Sequence, residues 1–224
     1  MLGGLGPQAT MDFEARIHTV SQHLIPQLAN SGYPPMVVYY YRHAPVLLKN
    51  EESPLFPLHS DPCLFEALKM LGACADFLVI PFNCPHLFQG AIEEASGLKV
   101  ISMIGTTLKE VNRQGLKKVG VLGVGEPTIY LTPLGQQGIA CEYISQELRA
   151  QLDQAILKLQ AGQEGLMDKV IARAAVHALR SKEVDGILLG CIEIPLLLQG
   201  EANAPDLLNP AQLLAEAAVR YALE

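Results

Sequence analysis

The chain has 224 residues and lacks any CxxC pair among its five cysteines, Cys63, Cys74, Cys84, Cys141 and Cys191. An odd, scattered set argues against a disulfide framework and against a zinc site, and it fits a reducing cytoplasm. There is no dense His/Asp cluster, so no metal ligand set is expected. Basic runs are missing too, and the formal net charge is −7. Phosphate neutralisation needs clustered Lys and Arg, so nucleic acid is not an expected partner. No apolar stretch approaches the roughly 20 residues of a membrane span, so no membrane partner is expected either. The opening Met1-Leu2-Gly3-Gly4 lacks the basic segment of a secretory leader.

Half the residues are hydrophobic, and helical and strand patterns alternate along the chain. Strand-like runs cover Met36 to Tyr41, Phe77 to Ile80, Lys99 to Met103, Lys117 to Leu122, Ile139 to Ile144 and Val184 to Leu189. Helical runs cover Pro62 to Leu71, Thr106 to Arg113, Ser145 to Gln160, Leu166 to Leu179 and Pro210 to Ala222. Asp61, Ser145 and Asn209 are placed to cap three of them, and proline follows at the first turn of the first and last. Strands this apolar must be covered on both faces. The expected fold is α/β: two pseudo-symmetric parallel-sheet lobes with flanking helices and a cleft between them. The first lobe is expected to hold residues 1–104 and 210–224, and the second 105–209.

The pseudo-symmetry is visible as a repeat. Asp76-Phe77-Leu78-Val79-Ile80-Pro81-Phe82-Asn83-Cys84 matches Asp185-Gly186-Ile187-Leu188-Leu189-Gly190-Cys191-Ile192-Glu193. Each is an acid, an apolar run and a turn carrying a cysteine. In register, Phe82 and not Cys84 matches Cys191. The earlier turn Leu2-Gly3-Gly4-Leu5-Gly6-Pro7 resembles Leu122-Gly123-Val124-Gly125-Glu126-Pro127. A strand precedes the second Gly turn, whereas little or none is expected before Gly3.

In open parallel sheets the site lies beyond the carboxyl ends of the strands, where both Gly turns and both cysteine turns fall. Backbone N–H groups near Gly4, at a helix start, suit a substrate carboxylate, and Thr10 can add a hydroxyl. Gly3-Gly4-Leu5-Gly6 is not a full dinucleotide fingerprint, since Ala9 stands at the last glycine position. Asn83 can hold a carboxylate or amide, and His86 can shuttle protons or orient a thiol. Cys191 sits between Gly190, which permits close backbone approach, and Glu193. Cys63, Cys74 and Cys141 are read as packing residues.

These motifs resemble the aspartate/glutamate racemase superfamily over essentially the whole chain. The resemblance rests on Gly3-Gly4-Leu5-Gly6-Pro7-Gln8-Ala9-Thr10, Pro81-Phe82-Asn83-Cys84-Pro85-His86, Gly190-Cys191-Ile192-Glu193 and Asn209-Pro210. It implies a cofactor-independent racemase of a small amino-acid or carboxylate substrate, working with two cysteines, and a homodimer. One thiolate removes the Cα proton and the opposite thiol returns one to the other face. By this resemblance Cys191 and Cys84 are the catalytic candidates. Gly4, Thr10, Asn83, His86 and Glu193 are the substrate-binding candidates. The chain departs from the family pattern in several places. Phe82 stands at the first family cysteine, Cys84 at the following threonine, and Ile192 at the threonine after Cys191. Leu47 and Gln160 stand where the relatives carry an arginine and a lysine for a distal carboxylate, with Arg42, His43 and Lys49 nearby. A shift of two residues along a strand moves a side chain by about 6.5–7 Å. Two other functions therefore stay open: one-sided acid/base chemistry by Cys191 alone, or ligand binding without turnover. The apolar replacements point to a substrate with a less charged side chain than aspartate.

Overall fold

The structure is a computed structural model of the chain, and it describes every residue apart from 27, 29–31, 50–52, 55–57 and 126. Glu126 of the second Gly turn thus lies outside the described residues. In chain order the elements are β1 (Leu2–Gly3), α1 (Pro7–Leu24), β2 (Tyr39–Tyr40), β3 (Leu48–Lys49), β4 (Ser53–Pro54), α2 (Pro62–Gly72) and β5 (Phe77–Val79). A 3₁₀ turn (Cys84–Phe88), α3 (Gln89–Ser96), β6 (Lys99–Ile101), α4 (Met103–Arg113), β7 (Lys118–Leu122) and α5 (Thr128–Gln136) follow. Then come β8 (Ala140–Glu142), α6 (Gln146–Gln160), α7 (Leu166–Arg180), β9 (Gly186–Leu189), α8 (Ile194–Leu198), a second 3₁₀ turn (Gln199–Asn203), β10 (Leu207–Leu208) and α9 (Pro210–Tyr221). The fold is α/β, with parallel sheets flanked by helices. Among the described residues no helix is long and apolar enough to cross a membrane.

Contacts divide the chain into two compact units. Unit 1 is Met1–Met103 with Leu214–Glu224, and unit 2 is Ile104–Leu213.

Unit 2 holds a four-stranded sheet in the order β10-β9-β7-β8, parallel throughout. Alternating residues of its central strands serve two helical layers, as the two-residue period of a strand requires. Ile187 and Leu189 pack with Leu152, Ile156, Ala172 and Leu179 from α6 and α7. Leu188, Val119 and Val121 pack with Val111, Tyr130 and Leu134 from α4 and α5. Ser145 caps α6 by accepting from the Leu148 N–H at 3.2 Å. Asp185, the acid of the repeat, accepts from the backbone N–H groups of Lys117 and Lys118 at 2.7 and 2.8 Å. Those two bonds hold its carboxyl below the usual range. The acid of this repeat therefore fastens the start of β7 to the approach to β9.

Unit 1 is built on two parallel pairs, β1 with β2 and β5 with β6, and a small antiparallel pair, β3 with β4. Its core gathers Leu2, Tyr41, Leu64, Leu68, Leu78, Ile80, Ile92 and Val100. Asp61 caps α2 by accepting from the Cys63 N–H at 2.8 Å, with Pro62 at the first turn. Only Leu2 and Gly3 form β1, so one strand residue precedes Gly3.

Several expectations are corrected. The run Met36 to Tyr41 pairs only at Tyr39–Tyr40. Met103 opens α4 instead of closing β6, because the strand ladder ends with Val79 against Ile101. Ile139 to Ile144 pairs only over Ala140–Glu142. Cys63 and Cys74 are exposed and are not packing residues, whereas half-buried Cys141 does pack against the unit 2 core as expected. Cys63 stands in the first turn of α2 and Cys74 just past its end, where an apolar helix stripe no longer points inward.

Candidate functional site

Cys191 is the second residue after β9, with Gly190 between them. Gly190 is there because the backbone of β7 is close: an added Cβ would lie 2.6 Å from the Leu122 carbonyl oxygen and 3.4 Å from Cδ2 of Tyr130. The Cys191 side chain is buried, and its thiol donates to Oε2 of Glu193 at 2.9 Å. The other carboxylate oxygen, Oε1, accepts from the Gln160 amide at 2.9 Å. Glu193 is itself only 2 % exposed, so both of its oxygens are held by the protein. Burial, and then the neighbouring Glu193 charge, push the Cys191 thiol well above the usual thiol range. The Glu193 backbone N–H acts the other way, favouring the thiolate, while Asp153 adds to the upward push.

Asp153 was not singled out in the sequence. Both of its carboxylate oxygens accept from the Gly125 N–H, at 3.1 and 3.3 Å. Tyr130 was also missed. It is fully buried beside Gly190, paired with Thr107 and within electrostatic reach of Cys191. Burial is the main reason its hydroxyl titrates above the ordinary tyrosine range. A signal for Asp153 did exist: it precedes Gln160 by seven residues on one predicted helix, a spacing that shares a face.

In unit 1 the Gly turn is closed on itself. The Thr10 hydroxyl accepts from the Gly4 N–H at 2.8 Å and donates to the Gly6 carbonyl at 2.9 Å. Thr10 is buried, one turn into α1, so its reach is fixed by the helix that Pro7 starts. Gly4 and Thr10 are thus brought together.

Asn83, Cys84 and His86 share the next strand-end turn. The Asn83 carbonyl accepts from the His86 N–H at 3.0 Å as the 3₁₀ turn begins. Cys84 is half-buried, and burial raises its thiol. Phe82 packs against the unit 1 core with Phe88, and its N–H donates to the Ile80 carbonyl at 2.8 Å. That same carbonyl lies 3.0 Å from Nε2 of His86. The ring must donate there, so Nδ1 carries the lone pair in the neutral form. Nδ1 is buried without a hydrogen-bond partner. Of the nearby cations, Arg42 lies over the Tyr40 ring at 4.9 Å and Lys49 falls in β3. Lys158, near the end of α6, is paired with Asp168 at 3.0 Å.

A pH effect follows for His86. Burial, outweighing the Ile80 hydrogen bond, lowers its folded-state pKa. The unfolded chain then takes up this proton first, near the ordinary histidine value of about 6.5. The contribution to stability is complete above that value and is lost as pH falls through the lowered folded pKa. Melting temperature measured from pH 8 to 5 is expected to show this loss, and His86→Gln to flatten it. A variant curve parallel to the unmodified protein's would assign the loss elsewhere.

One hollow of unit 1 lies away from these turns. A cavity of about 240 Å³ is lined by Met1, Val37, Cys74, Phe77 and Ala218, at the starts of β1 and β5. The cysteine and glycine turns follow the other ends of those strands.

The chain matches the model of the Asp/Glu/hydantoin racemase family over residues 2–218. It belongs to that family. Among curated proteins it is 27 % identical over 134 residues to the broad specificity amino-acid racemase RacX of Bacillus subtilis. That match covers 58 % of this chain and 55 % of the relative, so the chain spans about half the length of the curated relative it matches. Among solved structures it is similar to the Picrophilus torridus aspartate racemase, with a TM-score of 0.76 and 20 % identity. That match covers 99 % of this chain and 92 % of the other. It is also similar to an aspartate racemase homologue from Pyrococcus horikoshii, with a TM-score of 0.73, 21 % identity, and 100 % and 97 % of the two chains covered. At these identities the solved structures carry the fold alone.

Proposed function

We propose that this member of the racemase family is a cofactor-independent amino-acid racemase in which Cys191 moves the Cα proton of a small amino acid. The observation that carries the reading is the pairing of the Cys191 thiol with the buried carboxylate of Glu193. A general base must surrender its own proton before it can take one from carbon. Glu193 is the acceptor at hydrogen-bond distance. Moving the proton from an ordinary thiol to an ordinary carboxyl spans about 4 pKa units, or about 6 kcal/mol. The pair carries one negative charge throughout, and the α-ammonium of an incoming amino acid is its natural counter-charge. Cys84 is the candidate for the opposite face of the substrate. Gly4, Thr10, Asn83 and His86 are the candidates for holding it.

The substrate side chain is read as uncharged or weakly charged. Glu193 and Asp153 both add negative potential at Cys191. Gln160 stands where a lysine would receive a distal carboxylate, and Lys158 is already paired. A second carboxylate on the substrate would find repulsion and no free partner among these groups. The broad specificity named for the Bacillus subtilis relative agrees with this reading.

A specific observation favours a second reading. Phe82, at the position of the first family cysteine by resemblance, packs against the core, and among the described residues no carboxylate is paired with Cys84 as Glu193 is with Cys191. On this reading Cys191 works alone, on one face only.

Incubating the protein with a panel of amino acids in deuterated water, followed by chiral separation and mass spectrometry, separates the two. Cα exchange with inversion is the expected result. Exchange with retention assigns one-sided chemistry. Binding without exchange for every substrate sinks both enzyme readings. Tightest binding of aspartate would refute the side-chain assignment.

A further inference from the structure

Helix α6 touches both strand-end turns of unit 2. Asp153 accepts from Gly125 in the Gly turn, and Gln160 donates to Glu193 in the cysteine turn. Seven residues are about two helical turns, so both side chains leave one face about 10.5 Å apart. Gln160 is exposed at the last position of the helix, while Glu193 is buried. A buried carboxylate with one oxygen on a thiol is free to rotate unless its other oxygen is also fixed. Gln160 supplies that second point through a neutral N–H, which favours the carboxylate less, and so weakens it less as a proton acceptor, than a positive charge would.

We propose that Gln160 is a positioning residue: its amide fixes the Glu193 carboxylate so that Oε2 faces the Cys191 thiol and the two act as one proton-sharing pair. The proposal rests on the reading of Cys191 as an acid/base group. In the step, the S–H bond breaks, an O–H bond forms at Oε2, and sulfur keeps the electron pair. No solvent proton enters or leaves, and the net charge of the pair stays at −1. The amount of thiolate formed in this way does not depend on pH while the pair holds one proton. A lone thiol behaves differently, gaining thiolate about tenfold per pH unit below its pKa.

Alkylation of Cys191 by iodoacetamide, followed site by site with mass spectrometry across pH, reads this directly. Site resolution is needed because Cys63 and Cys74 are exposed. The unmodified protein is expected to show a rate plateau across neutral pH. Glu193→Gln is expected to replace it with a tenfold rise per unit. Gln160→Met keeps the size of the side chain, removes the donor and lies outside the core. It is expected to lower the plateau about fivefold, because Oε2 is no longer held on the thiol; a raised plateau, the result if the amide only stabilises the carboxylate anion, overturns the proposal. A Gln160→Met profile that superimposes on the unmodified one overturns the proposal, as does the absence of any plateau in the unmodified protein. The measurement needs no substrate. If the plateau depends on Gln160 while no amino acid exchanges its Cα proton, the pairing stands and the racemase reading falls.

Discussion

Replacing Cys191 by serine is expected to lower the rate of Cα proton exchange by about 10³-fold or more, near the upper end of what one general acid–base group contributes. The substitution keeps the size of the side chain and leaves a hydroxyl that can still donate to Glu193. What it removes is acidity. A serine hydroxyl holds its proton far more tightly than a thiol, so Glu193 cannot take it at useful cost. The thiol is already difficult, being pushed upward by burial and by the Glu193 charge. The chemistry therefore has no slack in which a weaker acid could work. Substrate binding measured by calorimetry is expected to change little, so the loss falls on turnover. Retention of a tenth or more of the exchange rate in Cys191→Ser would remove Cys191 from the reaction. Cys84→Ser is the informative companion. Loss of inversion with exchange retained would place Cys84 on the second face.

The second large effect is on stability. Gly4→Ala is expected to destabilise the protein by about 3 kcal/mol, with more than one cause acting at once. Gly4 has φ of +84°, a conformation that costs an L-residue about 1–2 kcal/mol. An added Cβ would also lie 2.7 Å from the Tyr41 nitrogen and 2.8 Å from its oxygen. Tyr41 cannot step aside cheaply, because its N–H donates to the Gly3 carbonyl at 2.8 Å. Moving the turn the other way would break the bond from the Gly4 N–H to the buried Thr10 hydroxyl. Urea unfolding followed by circular dichroism reads the cost. A change below about 1 kcal/mol would show that the turn relaxes more freely than these contacts imply.

These two residues illustrate unequal legibility. Gly4 announced itself, because a Gly-rich turn ahead of a proline-started helix is a local pattern, and its φ and hydrogen bonds are local consequences. Asp61 and Ser145 were equally plain, since an N-cap bond spans only two or three residues. Asn209 likewise accepts from the Ala211 N–H, two residues on, at 3.1 Å. The two-layer cover of β7 and β9 followed from strands too apolar to face water. Strand ends were less legible. Met103 looked like strand by composition and became helix, because pairing stops where the neighbouring strand stops.

The site divides along the same line. The sequence by itself determined that Cys191 ends an apolar strand, that Gly190 precedes it, and that Phe82 stands in register with it. These depend on order along the chain and on the two-residue period of a strand. Only the tertiary structure decided that the Cys191 thiol meets Glu193, that Gln160 holds that carboxylate from 33 residues away, and that Asp153 clasps Gly125 from 28 residues away. It alone decided as well that Cys63 and Cys74 face solvent. The physical reason is range. Caps, turns and strand period are set by backbone geometry within a few residues. A bond between a helix and a distant turn exists only after packing has fixed both, and no local preference records it.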